Sequence, residues 1–557
     1  MGEMRADEAF ATATGHYNAG RLREAEVLLE RILGAVPDQP QVLHMLALVM
    51  HQLGRGSGGI ELIRHAIDLR PNDAGLRSNL GAMLAGSGEV DKGVAELRQA
   101  ILLDPNLADA HNNLGNALKM LGNADEALAE YRRAVASRTN YAEAHNNLGS
   151  VLHEHGRFDE ALVELSRAIQ IRPAYPEACN NLGNTLQDLG RLEEAIQSYR
   201  KAITLRPSYA EAHYHLGVCL RSLNRLNEAM KEFRIALELR PRYPEAMWAV
   251  GFLMLLTGDF TNGWRALEAR LQLAYKPLLF DLAQSAWDGS ALDGKAILLY
   301  GEQGLGDTIQ FARYVPMVKA RGGLVVMACP SPLKRLLQES LGIEYIATER
   351  DPVPMGDVRC ALMSLPRIFQ TTLDNIPAQV PYIAADPALS QKWRGRLADD
   401  AARFNVGVVW AGNRRHLNDR NRSVPLDHFA PMAQIPDVRL ISLQKGPAAA
   451  EIKTSGTGIV DWTAELSDLA ETAGLIANLD LVISVDTSVA HLAGAMAKPT
   501  WTLLPFAPDW RWMLNRSDSP WYPTMRLFRQ PAPGDWHTPL RQITEELSRL
   551  AGQNRAT

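Results

Sequence analysis

Residues 142–183 decide the fold of the N-terminal half, because they hold one complete sequence repeat and the beginning of the next. They read AEAHNNLGSVLHEHGRFDEALVELSRAIQIRPAYPEACNNLG, and the motif NNLG occurs in them twice, 34 residues apart. A period of this length is typical of units built from two antiparallel helices. One such unit cannot bury its apolar face alone, so we expect neighbouring units to stack into a superhelix.

The repeat extends well beyond this stretch when the chain is aligned on the glycine of NNLG. Small residues recur every 34 positions from residue 13 to residue 251, and seven copies fill residues 6–243. A second small residue follows twelve positions later, which lets the two helices cross closely. Pro follows 24 positions after each anchor, except at Thr139, and ends the second helix. This pattern resembles the tetratricopeptide repeat, and we assign residues 244–294 to a divergent capping repeat and linker.

Four asparagines occupy the same position of successive repeats, two residues before the anchoring glycine: Asn79, Asn113, Asn147 and Asn181. Residues at one fixed position of the first helix are expected to line the superhelical groove. An Asn amide donates and accepts hydrogen bonds at once, so such a row suits the backbone of an extended peptide. The row is similar to the asparagine ladder of O-GlcNAc transferase. The alternative is that Asn before Leu-Gly is simply common in these repeats.

The 34-residue period is lost after residue 273, where short apolar segments begin to alternate with helical patterns such as residues 308–320 and 467–479. This alternation predicts parallel sheets with crossover helices. We expect two α/β halves with a cleft between them, at residues 295–390 and 405–552, joined by a polar linker at 391–404. The last helix, residues 540–551, is expected to cross back onto the first half. The predicted strands are residues 296–300, 324–329, 343–348, 406–410, 438–443, 481–485 and 500–504.

The composition excludes several classes of function. Lys and Arg number 58 against 63 Asp and Glu, so the net charge is −5 and there is no basic surface for nucleic acid. The longest apolar run, residues 246–256, is about half of the ~20 residues that a membrane span needs. The N-terminus lacks the apolar segment of a signal peptide, and the four cysteines lack metal or redox spacing. We therefore expect a cytoplasmic protein with reduced thiols.

The first segment with possible chemistry follows the first predicted strand of the C-terminal half. It reads YGEQGLGDTIQFARY over residues 300–314, and its glycines include Gly304 and Gly306. Its spacing matches neither the dinucleotide fingerprint nor the phosphate-binding P-loop. Glycines let a ligand or another backbone approach closely. Asp307 lies where a helix cap belongs, and it is alternatively a general base that takes a proton from an acceptor hydroxyl.

The second segment, LVISVDTSVAHLAGAMAKP at residues 481–499, is a buried strand followed by a helix of small residues. The free amides at the start of that helix, with the hydroxyls of Thr487 and Ser488, suit a diphosphate. His491 lies one turn beyond Thr487, on the same face, where it is a candidate catalytic residue that donates to a phosphate or assists the leaving group. An ordinary capped helix with a surface histidine is the alternative.

Further candidates come from loops at predicted strand ends, where ligands bind in open α/β folds. Arg422 belongs to an arginine-rich loop after residue 410 that suits a diphosphate, and Gln444 and Lys445 follow the next strand. A charge-rich loop is otherwise simply solvated. The aromatic stretch at residues 505–536 either stacks a sugar or base or packs into the core. The arginines of the loop are Arg414, Arg415, Arg420 and Arg422.

These segments together resemble glycosyltransferases of the GT-B fold, and specifically the heptosyltransferase-like group, glycosyltransferase family 9. The whole chain looks like bacterial proteins that fuse tetratricopeptide repeats to such a domain. The resemblance implies an α-solenoid followed by an α/β domain with two Rossmann-like halves. It rests on EQGLGDTIQFARY, VWAG, SLQKG, DTSVAHLAGAMAKP, DWRW and SPWYP in the C-terminal half and on GDFTNGW in the last repeat unit.

The resemblance also implies roles for particular residues. Asp307 corresponds to the proposed catalytic base of heptosyltransferases. Asp486, Thr487 and His491 correspond to their Asp-Thr-Gly-x-x-His element, which binds the donor diphosphate and sugar, although Ser488 replaces the glycine. Arg422 corresponds to a basic residue before proline that contacts phosphate, where the family has Lys. Arg is able to do so because it binds phosphate in a bidentate manner.

The function implied is transfer of a hexosyl or N-acetylhexosaminyl group from a nucleotide sugar to a protein side chain held by the repeats. Enzymes of the GT-B fold usually need no metal, and the sequence has no D-x-D motif. We therefore expect no cofactor or metal, with inversion at the anomeric carbon. The alternatives are heptosyltransferase-like transfer to a glycan or lipid-linked acceptor, and a non-catalytic peptide-binding scaffold with a degenerate transferase domain.

Overall fold

A computed structural model of the chain describes residues 6–273, 284–352, 356–398, 404–414 and 418–554. The chain divides into two compact units, residues 1–219 and 220–557. The first unit is all-helical, whereas the second begins with helices and continues as two parallel sheets. Each unit is described by itself below.

Helices of 13 and 14 residues alternate through the first unit, as the repeat predicts. The last of them, α13, spans the boundary between the two units. Buried side chains of adjacent helix pairs form successive apolar clusters along the unit. The helices are α1 (Ala6–Asn18), α2 (Leu22–Ala35), α3 (Pro40–Gln52), α4 (Gly56–Leu69), α5 (Ala74–Gly86), α6 (Val90–Leu103), α7 (Ala108–Met120), α8 (Ala124–Ser137), α9 (Ala142–Glu154), α10 (Phe158–Ile171), α11 (Pro176–Asp188), α12 (Leu192–Leu205) and α13 (Ala210–Ser222).

The small residues of the repeat lie where paired helices cross, which confirms their predicted role. A Cβ atom on Gly81 would lie 2.8 Å from the carbonyl oxygen of Gly93, and one on Gly93 would lie 2.6 Å from that of Gly81. A Cβ atom on Gly183 would lie 2.5 Å from the ring of Tyr199. Larger residues at these positions would push the two helices apart.

Proline is not required to end the second helix of a repeat. Helix α8 ends at Ser137, two residues before Thr139, just as α6 ends at Leu103 before Pro105. In both repeats the residue after the helix turns to an extended conformation and its amide bonds back to the helix. The repeat geometry therefore ends the helix, and proline reinforces that end.

The second unit begins with α14 (Leu226–Leu239), α15 (Pro244–Leu256) and α16 (Phe260–Leu267), followed by a 3₁₀ turn at Glu268–Gln272. Helices α15 and α16 and the 3₁₀ turn fall in the stretch expected to form the divergent capping repeat, whereas α14 is the second helix of the seventh repeat. The indole of Trp264 on α16 is buried and donates to the carbonyl oxygen of Thr371, 2.9 Å away. It also packs edge-on against Trp510 and Trp521. The divergent repeat is therefore part of the core of the second unit.

Next comes a five-stranded parallel sheet with strand order β1-β5-β2-β3-β4. The predicted first three strands are present, and β1 and β5 were not predicted. The predicted helix at 308–320 is broken into α17 and α18, with Pro316 in the first turn of the second. The elements are β1 (Ser285–Ala286), β2 (Ala296–Tyr300), α17 (Leu305–Ala312), α18 (Val315–Lys319), β3 (Leu324–Ala328), α19 (Lys334–Leu341), β4 (Ile346–Ala347), β5 (Val358–Ala361) and α20 (Leu365–Ile368).

The second sheet is also parallel and five-stranded, with strand order β10-β9-β8-β6-β7. Both sheets are flanked by crossover helices, so the second unit has two Rossmann-like halves, as predicted. Helix α21 begins four residues before the stretch predicted as a linker, residues 391–404, and overlaps it; residues 399–403 are outside the described part of the chain. The elements are α21 (Pro387–Leu397), β6 (Phe404–Val409), α22 (Asp419–Arg422), α23 (Ala430–Ala433), β7 (Val438–Ser442), α24 (Ile452–Ser455), α25 (Leu469–Ile476), β8 (Leu481–Val485), α26 (Ser488–Ala495), β9 (Thr500–Leu504), β10 (Met525–Arg529) and α27 (His537–Asn554).

The C-terminal helix corrects one prediction. Leu540, Ile543 and Leu547 of α27 are buried in the core of the second half, together with Val406 and Phe528. The helix therefore packs on its own half rather than crossing back onto the first. The apolar residues of α27 show that it is amphipathic, but they do not specify which sheet it covers.

Candidate functional site

The strand order of each half brings the sequence candidates to a switch point, where consecutive connections leave in opposite directions. In the first half this point lies between β2 and β5, and in the second half between β6 and β8. Ligands of open α/β sheets bind at the carboxyl ends of strands at such points. Asp307 lies in the first turn of α17, directly after the loop from β2, and Asp486 lies in the loop from β8 to α26.

Asp307 lies in the first turn of α17 and closes a capping interaction there. Its Oδ2 atom accepts a hydrogen bond from the amide of Gly304 at 2.8 Å. Its Oδ1 atom accepts from the guanidinium of Arg511, which comes from the second half. Both carboxylate oxygens of the candidate base are therefore engaged, one within its own helix and one across the two halves.

Helix α17 packs directly against α26 through Gly306. A Cβ atom on Gly306 would lie 2.7 Å from Cδ2 of His491 and 3.5 Å from Cα of Ser488. Gly306 therefore permits the close packing of two helices, which differs from the donor-binding role expected for it. The same packing places the N-terminal turns of α17 and α26 side by side, so the candidate base and the candidate diphosphate site adjoin each other.

His491 is buried, with 5% of its surface exposed, and its ring stacks on Trp512 with centroids 5.4 Å apart. Its Nδ1 atom lies 3.0 Å from the hydroxyl of Tyr522, and its Nε2 atom lies 3.8 Å from Oδ1 of Asp486. Burial, reinforced by nearby arginines such as Arg511, holds the pKa of His491 well below its usual value. His491 is therefore neutral at physiological pH and offers a hydrogen bond rather than a positive charge.

Asp486 directly follows β8 and sits among other charged groups. Burial, and after it the carboxylate of Asp509, raises the pKa of Asp486 to about 6, against the lowering effect of Trp512, Arg422 and Arg511. A carboxylate with a perturbed pKa at a strand's carboxyl end is typical of a functional site. Thr487 follows, and its hydroxyl lies 3.0 Å from that of Ser484, while Ser488 begins α26.

Arg422 is the last residue of α22, between β6 and β7, and it lies beside Asp486. Its Nη1 atom donates to the backbone carbonyl of Asp486 at 3.1 Å, and its Nε atom lies 3.5 Å from Oδ1 of Asp419. Gly412 makes room for it, because a Cβ atom there would lie 2.6 Å from Nε of Arg422. Arg422 thus lies beside the predicted donor element, whereas Arg415 of the same loop is outside the described residues.

The Gln444 side chain is bonded to backbone groups of its own and the neighbouring strand's loop. Its side-chain oxygen accepts from the backbone amides of Trp410 and Ala411, at 3.1 and 2.9 Å, and its amide donates to the carbonyl of Lys445. With 3% of its surface exposed, Gln444 shapes the end of β6. Lys445 is exposed, and its ammonium group donates to the carbonyl of Thr463 at 2.7 Å.

The aromatic stretch before the last helix is packed rather than open. Trp510, Trp512, Trp521 and Trp536 are all buried, which agrees with the packing alternative. This stretch also contains β10, which was not predicted because the prolines and polar residues on either side of the strand obscure its pattern.

The four asparagines of the repeats bond to the preceding repeat. The amide of Asn147 donates to the side-chain oxygen of Asn112 at 3.0 Å, and that of Asn181 donates to Asn146 at 2.9 Å. Asn113 likewise donates to Ser78, and the Asn79 amide lies 2.7 Å from His44. The row therefore joins adjacent repeats, with each side chain remaining partly exposed.

The structure adds residues that the sequence argument did not assign to the site. These residues are Arg511, Asp509 and Gln310. All three lie in or beside quoted motifs, DWRW and DTIQFARY, but nothing in their local spacing pairs them. In the described part of the chain, no cluster of three or more His, Cys, Asp or Glu side chains is arranged to hold a metal ion. None of its helices is both long and apolar enough to cross a membrane.

The fold and the site define a helical-repeat protein with an α/β domain of two Rossmann-like halves. Comparison with known families gives matches in both the repeats and the α/β domain. Tetratricopeptide repeat models match residues 10–74 and 210–243, and a TPR repeat model matches four segments within residues 83–221. The model of glycosyltransferase family 9 (heptosyltransferase) matches residues 446–512. The chain thus contains tetratricopeptide repeats in its N-terminal part and a segment of its second α/β half that matches glycosyltransferase family 9.

Known proteins resemble parts of the chain. Protein FlbA of Caulobacter vibrioides is 26% identical over 324 residues, which are 54% of this chain and 54% of FlbA, so the chain spans about half the length of that relative. The TPR protein YrrB, described as having an unusual peptide-binding site, is 24% identical, with 34% of this chain and 96% of YrrB covered and a TM-score of 0.30. Cut9–Hcn1 is 17% identical over 48% of this chain and 53% of its own, with a TM-score of 0.41.

Proposed function

We propose that this protein transfers a sugar from a nucleotide-sugar donor to a side chain of a protein that the repeats hold. The observation that carries the proposal is the packing of α17 on α26, which sets Asp307 beside Asp486, Thr487 and His491. The family 9 match covers the last three of these residues. The repeats supply a surface for a polypeptide, which explains why they are joined to a transferase.

In this proposal the donor diphosphate lies at the N-terminus of α26. The free amides of Ser488 and Val489, the hydroxyl of Thr487 and the guanidinium of Arg422 stabilise its charge. The neutral imidazole of His491 donates one hydrogen bond to the donor. These groups balance the developing charge on the leaving group without a metal ion, and no cofactor is needed.

The transfer is a single displacement. The acceptor oxygen attacks the anomeric carbon while the bond from that carbon to the diphosphate oxygen breaks, so the configuration inverts and a nucleoside diphosphate leaves. The proton of the acceptor hydroxyl passes to the carboxylate of Asp307, which acts as general base. The four cysteines are buried and form no disulfide, which suits a cytoplasmic protein.

Nucleotide binding tests the proposal first. Thermal unfolding is measured with UDP, ADP, GDP, CMP and dTDP and with their sugar conjugates. A ligand at 100 times its dissociation constant stabilises the chain by ~2.7 kcal/mol, an easily measured shift. A thermal shift that is much larger with one nucleotide than with the others supports the transferase and identifies its donor class. No shift from any of them favours a peptide-binding scaffold.

The acceptor is then sought by mass spectrometry of proteins incubated with that donor. A mass increase of one sugar on a protein side chain supports protein glycosylation, whereas transfer to a glycan or lipid-linked acceptor supports heptosyltransferase-like chemistry. Asp307→Asn should slow transfer by about 10²–10⁴-fold with nucleotide binding intact. An unchanged rate would exclude Asp307 as the base.

A further inference from the structure

One arginine connects the two halves of the transferase domain at the candidate base. Arg511, from the 3₁₀ turn Trp510–Trp512, has only 7% of its surface exposed. Its Nε atom donates to Oε1 of Gln310 at 2.6 Å, its Nη1 to Oδ1 of Asp509 at 2.8 Å, and its Nη2 to Oδ1 of Asp307. Gln310 and Asp307 lie on α17, whereas Asp509 lies on the same loop as Arg511.

The guanidinium of Arg511 is fixed by residues of its own loop as well as by α17. Asp509 also accepts from the backbone amide of Arg511 at 3.0 Å, so the loop and the side chain share one anchor. The guanidinium carbon lies over the ring of Trp510, 4.4 Å from its centroid, so the ring covers one face of the guanidinium. Because the planar group is fixed by these contacts, its remaining edge has a defined direction toward α17.

The remaining edge of the Arg511 guanidinium contacts the carboxylate of Asp307, which Gly304 already binds through its other oxygen. Oδ2 of Asp307 accepts from the amide of Gly304, and Oδ1 accepts from Arg511, so the two contacts together set the rotation of the carboxylate plane. The amide of Gly304 alone fixes one oxygen and leaves the carboxylate free to rotate about it. Arg511 therefore supplies the second point that orientation requires.

Burying a guanidinium is costly unless its donors are met by well-placed acceptors. A loop that needed only to pack would be served as well by an apolar residue of similar volume. The three acceptors around Arg511 meet this requirement, and two of them belong to the helix that carries the candidate base. The arrangement thus favours a role for Arg511 at Asp307 over a role in packing alone.

We propose that Arg511 is the positioning residue for Asp307, and that it orients the carboxylate toward the acceptor hydroxyl from the opposite half of the domain. This rests on the proposed function, since it assumes that Asp307 takes the proton. Arg511 acts through Asp307 and does not itself bind the donor. The rate of transfer therefore depends on Arg511 only while Asp307 is present.

A kinetic double-mutant cycle tests this dependence in the full-length protein with the nucleotide sugar found by the binding panel. Arg511→Gln should lower kcat by about 10²-fold, the loss expected for a misplaced catalytic group, with the donor KM changed less than about threefold. Asp307→Asn/Arg511→Gln should be no slower than Asp307→Asn alone, because the two residues act as a unit. Arg511→Lys, which keeps the charge but loses the fork, should recover part of the rate.

Two kinetic results would overturn the proposal. If Arg511→Gln lowers the rate of Asp307→Asn by the same factor as it lowers the rate of the unmodified protein, Arg511 acts independently of Asp307. A large rise in donor KM would assign Arg511 to donor binding. Arg516→Gln is the matched control, because Arg516 lies on the same loop and pairs with Asp518, and it should leave both constants unchanged.

A crystal structure of Arg511→Gln decides the positioning without any activity. The Asp307 carboxylate should turn away from its present orientation while Gly304 keeps one hydrogen bond to it. A carboxylate in the same place would overturn the proposal. If the unmodified protein binds no nucleoside diphosphate, the proposed function fails, and this structure still shows whether Arg511 orients Asp307. Should Arg511→Gln not fold, Arg511→Lys serves for the same structure.

Discussion

The imidazole of His111 forms an ion pair with Glu130, with 2.6 Å between Nδ1 and Oε2, in the buried interior of one repeat. The other ring nitrogen, Nε2, lies 3.0 Å from the carbonyl oxygen of Pro105. A carbonyl and an ionised carboxylate are both acceptors, so both ring nitrogens must donate and the ring must carry its positive charge. The next repeat has the same arrangement, with His145 between Glu164 and the carbonyl of Thr139.

We predict that this pair makes the repeat less stable at high pH. The hydrogen bond to Glu130 raises the pKa of His111 and outweighs burial, which lowers it. A raised His pKa adds stability that is full below about pH 6.5 and is lost as the pH rises through the folded-state pKa. Hydrogen exchange of α7 and α8 should therefore accelerate as the pH rises beyond that value, after correction for intrinsic exchange.

His111→Gln should remove this pH dependence and destabilise the repeat by about 1–3 kcal/mol, because the Oε2 atom of buried Glu130 loses its charged donor. His65→Gln is the control, since His65 and Asp38 form an exposed pair of the same kind. Exposed pairs contribute little, so this variant should behave like the unmodified protein. An unchanged pH profile in His111→Gln would show that the ring is neutral in the fold.

The helix crossing at Gly183 predicts the cost of a single methyl group. Gly183→Ala places Cβ within 2.5 Å of the Tyr199 ring, so the two helices must separate. We expect a loss of about 1–3 kcal/mol in the free energy of unfolding, measured by chemical denaturation. Gly15→Ala is the matched control, because nothing lies within 4 Å of a Cβ there and Ala favours the helix by about 0.5–1 kcal/mol. Equal effects of both changes would contradict the close crossing.

The asparagine row should stabilise the stack of repeats before any peptide binds. Asn147→Asp cannot donate to Asn112, which is buried, and should lower the free energy of unfolding by about 1–3 kcal/mol. Asn140→Asp, at an exposed turn, is the control and should change it by less than about 0.5 kcal/mol. If Asn147→Asp melts like the unmodified protein, the amide contributes no net stability between repeats.

Asp486 should reduce stability at neutral pH, as residues of a functional site often do. Its pKa of about 6 is higher than the value near 3.9 of an unfolded Asp. The stabilising contribution is therefore full below about pH 4 and is lost as the pH rises through 6. At pH 7.5, Asp486→Asn should have a higher melting temperature than the unmodified protein and a free energy of unfolding that is greater by an amount on the order of 2 kcal/mol. At pH 4 it should show no advantage.

Asp518→Asn is the control for Asp486, because Asp518 is an exposed carboxylate on the same half. It should show no change in relative stability between pH 5 and pH 7.5. A melting temperature for Asp486→Asn that follows the unmodified protein at every pH would mean that Asp486 is ionised at no cost.

Prediction from sequence was accurate where the signal is periodic and local. The 34-residue spacing of Gly81, Gly115 and Gly149 specified the repeat, and alternating strand and helix patterns specified two parallel α/β halves. Short elements such as β1 and β5 were missed because two to four residues carry too little pattern. One helix was predicted at residues 308–320, where the structure has α17 and α18, because both helices share one apolar pattern and that pattern does not show the break between them.

The candidate site was predictable in its residues but not in its contacts. Asp307, Asp486 and His491 follow predicted strands, and parallel sheets bring such positions to one edge. Gln444 satisfied the same rule, yet its amide is used to hold the end of β6. Whether a polar residue at a strand end faces a ligand or the backbone depends on neighbours from other strands.

The sequence by itself determined the repeat unit, the class of the second unit and the motif residues, because each depends on the spacing of residues that are close along the chain. Only the tertiary structure decided that Arg511 holds Asp307, that Gly306 lies against His491, and that each asparagine of the row bonds to the preceding repeat. Asp307 and Arg511 are 204 residues apart. A contact across such a distance leaves no local pattern, because it arises when packing of the two halves brings distant loops together.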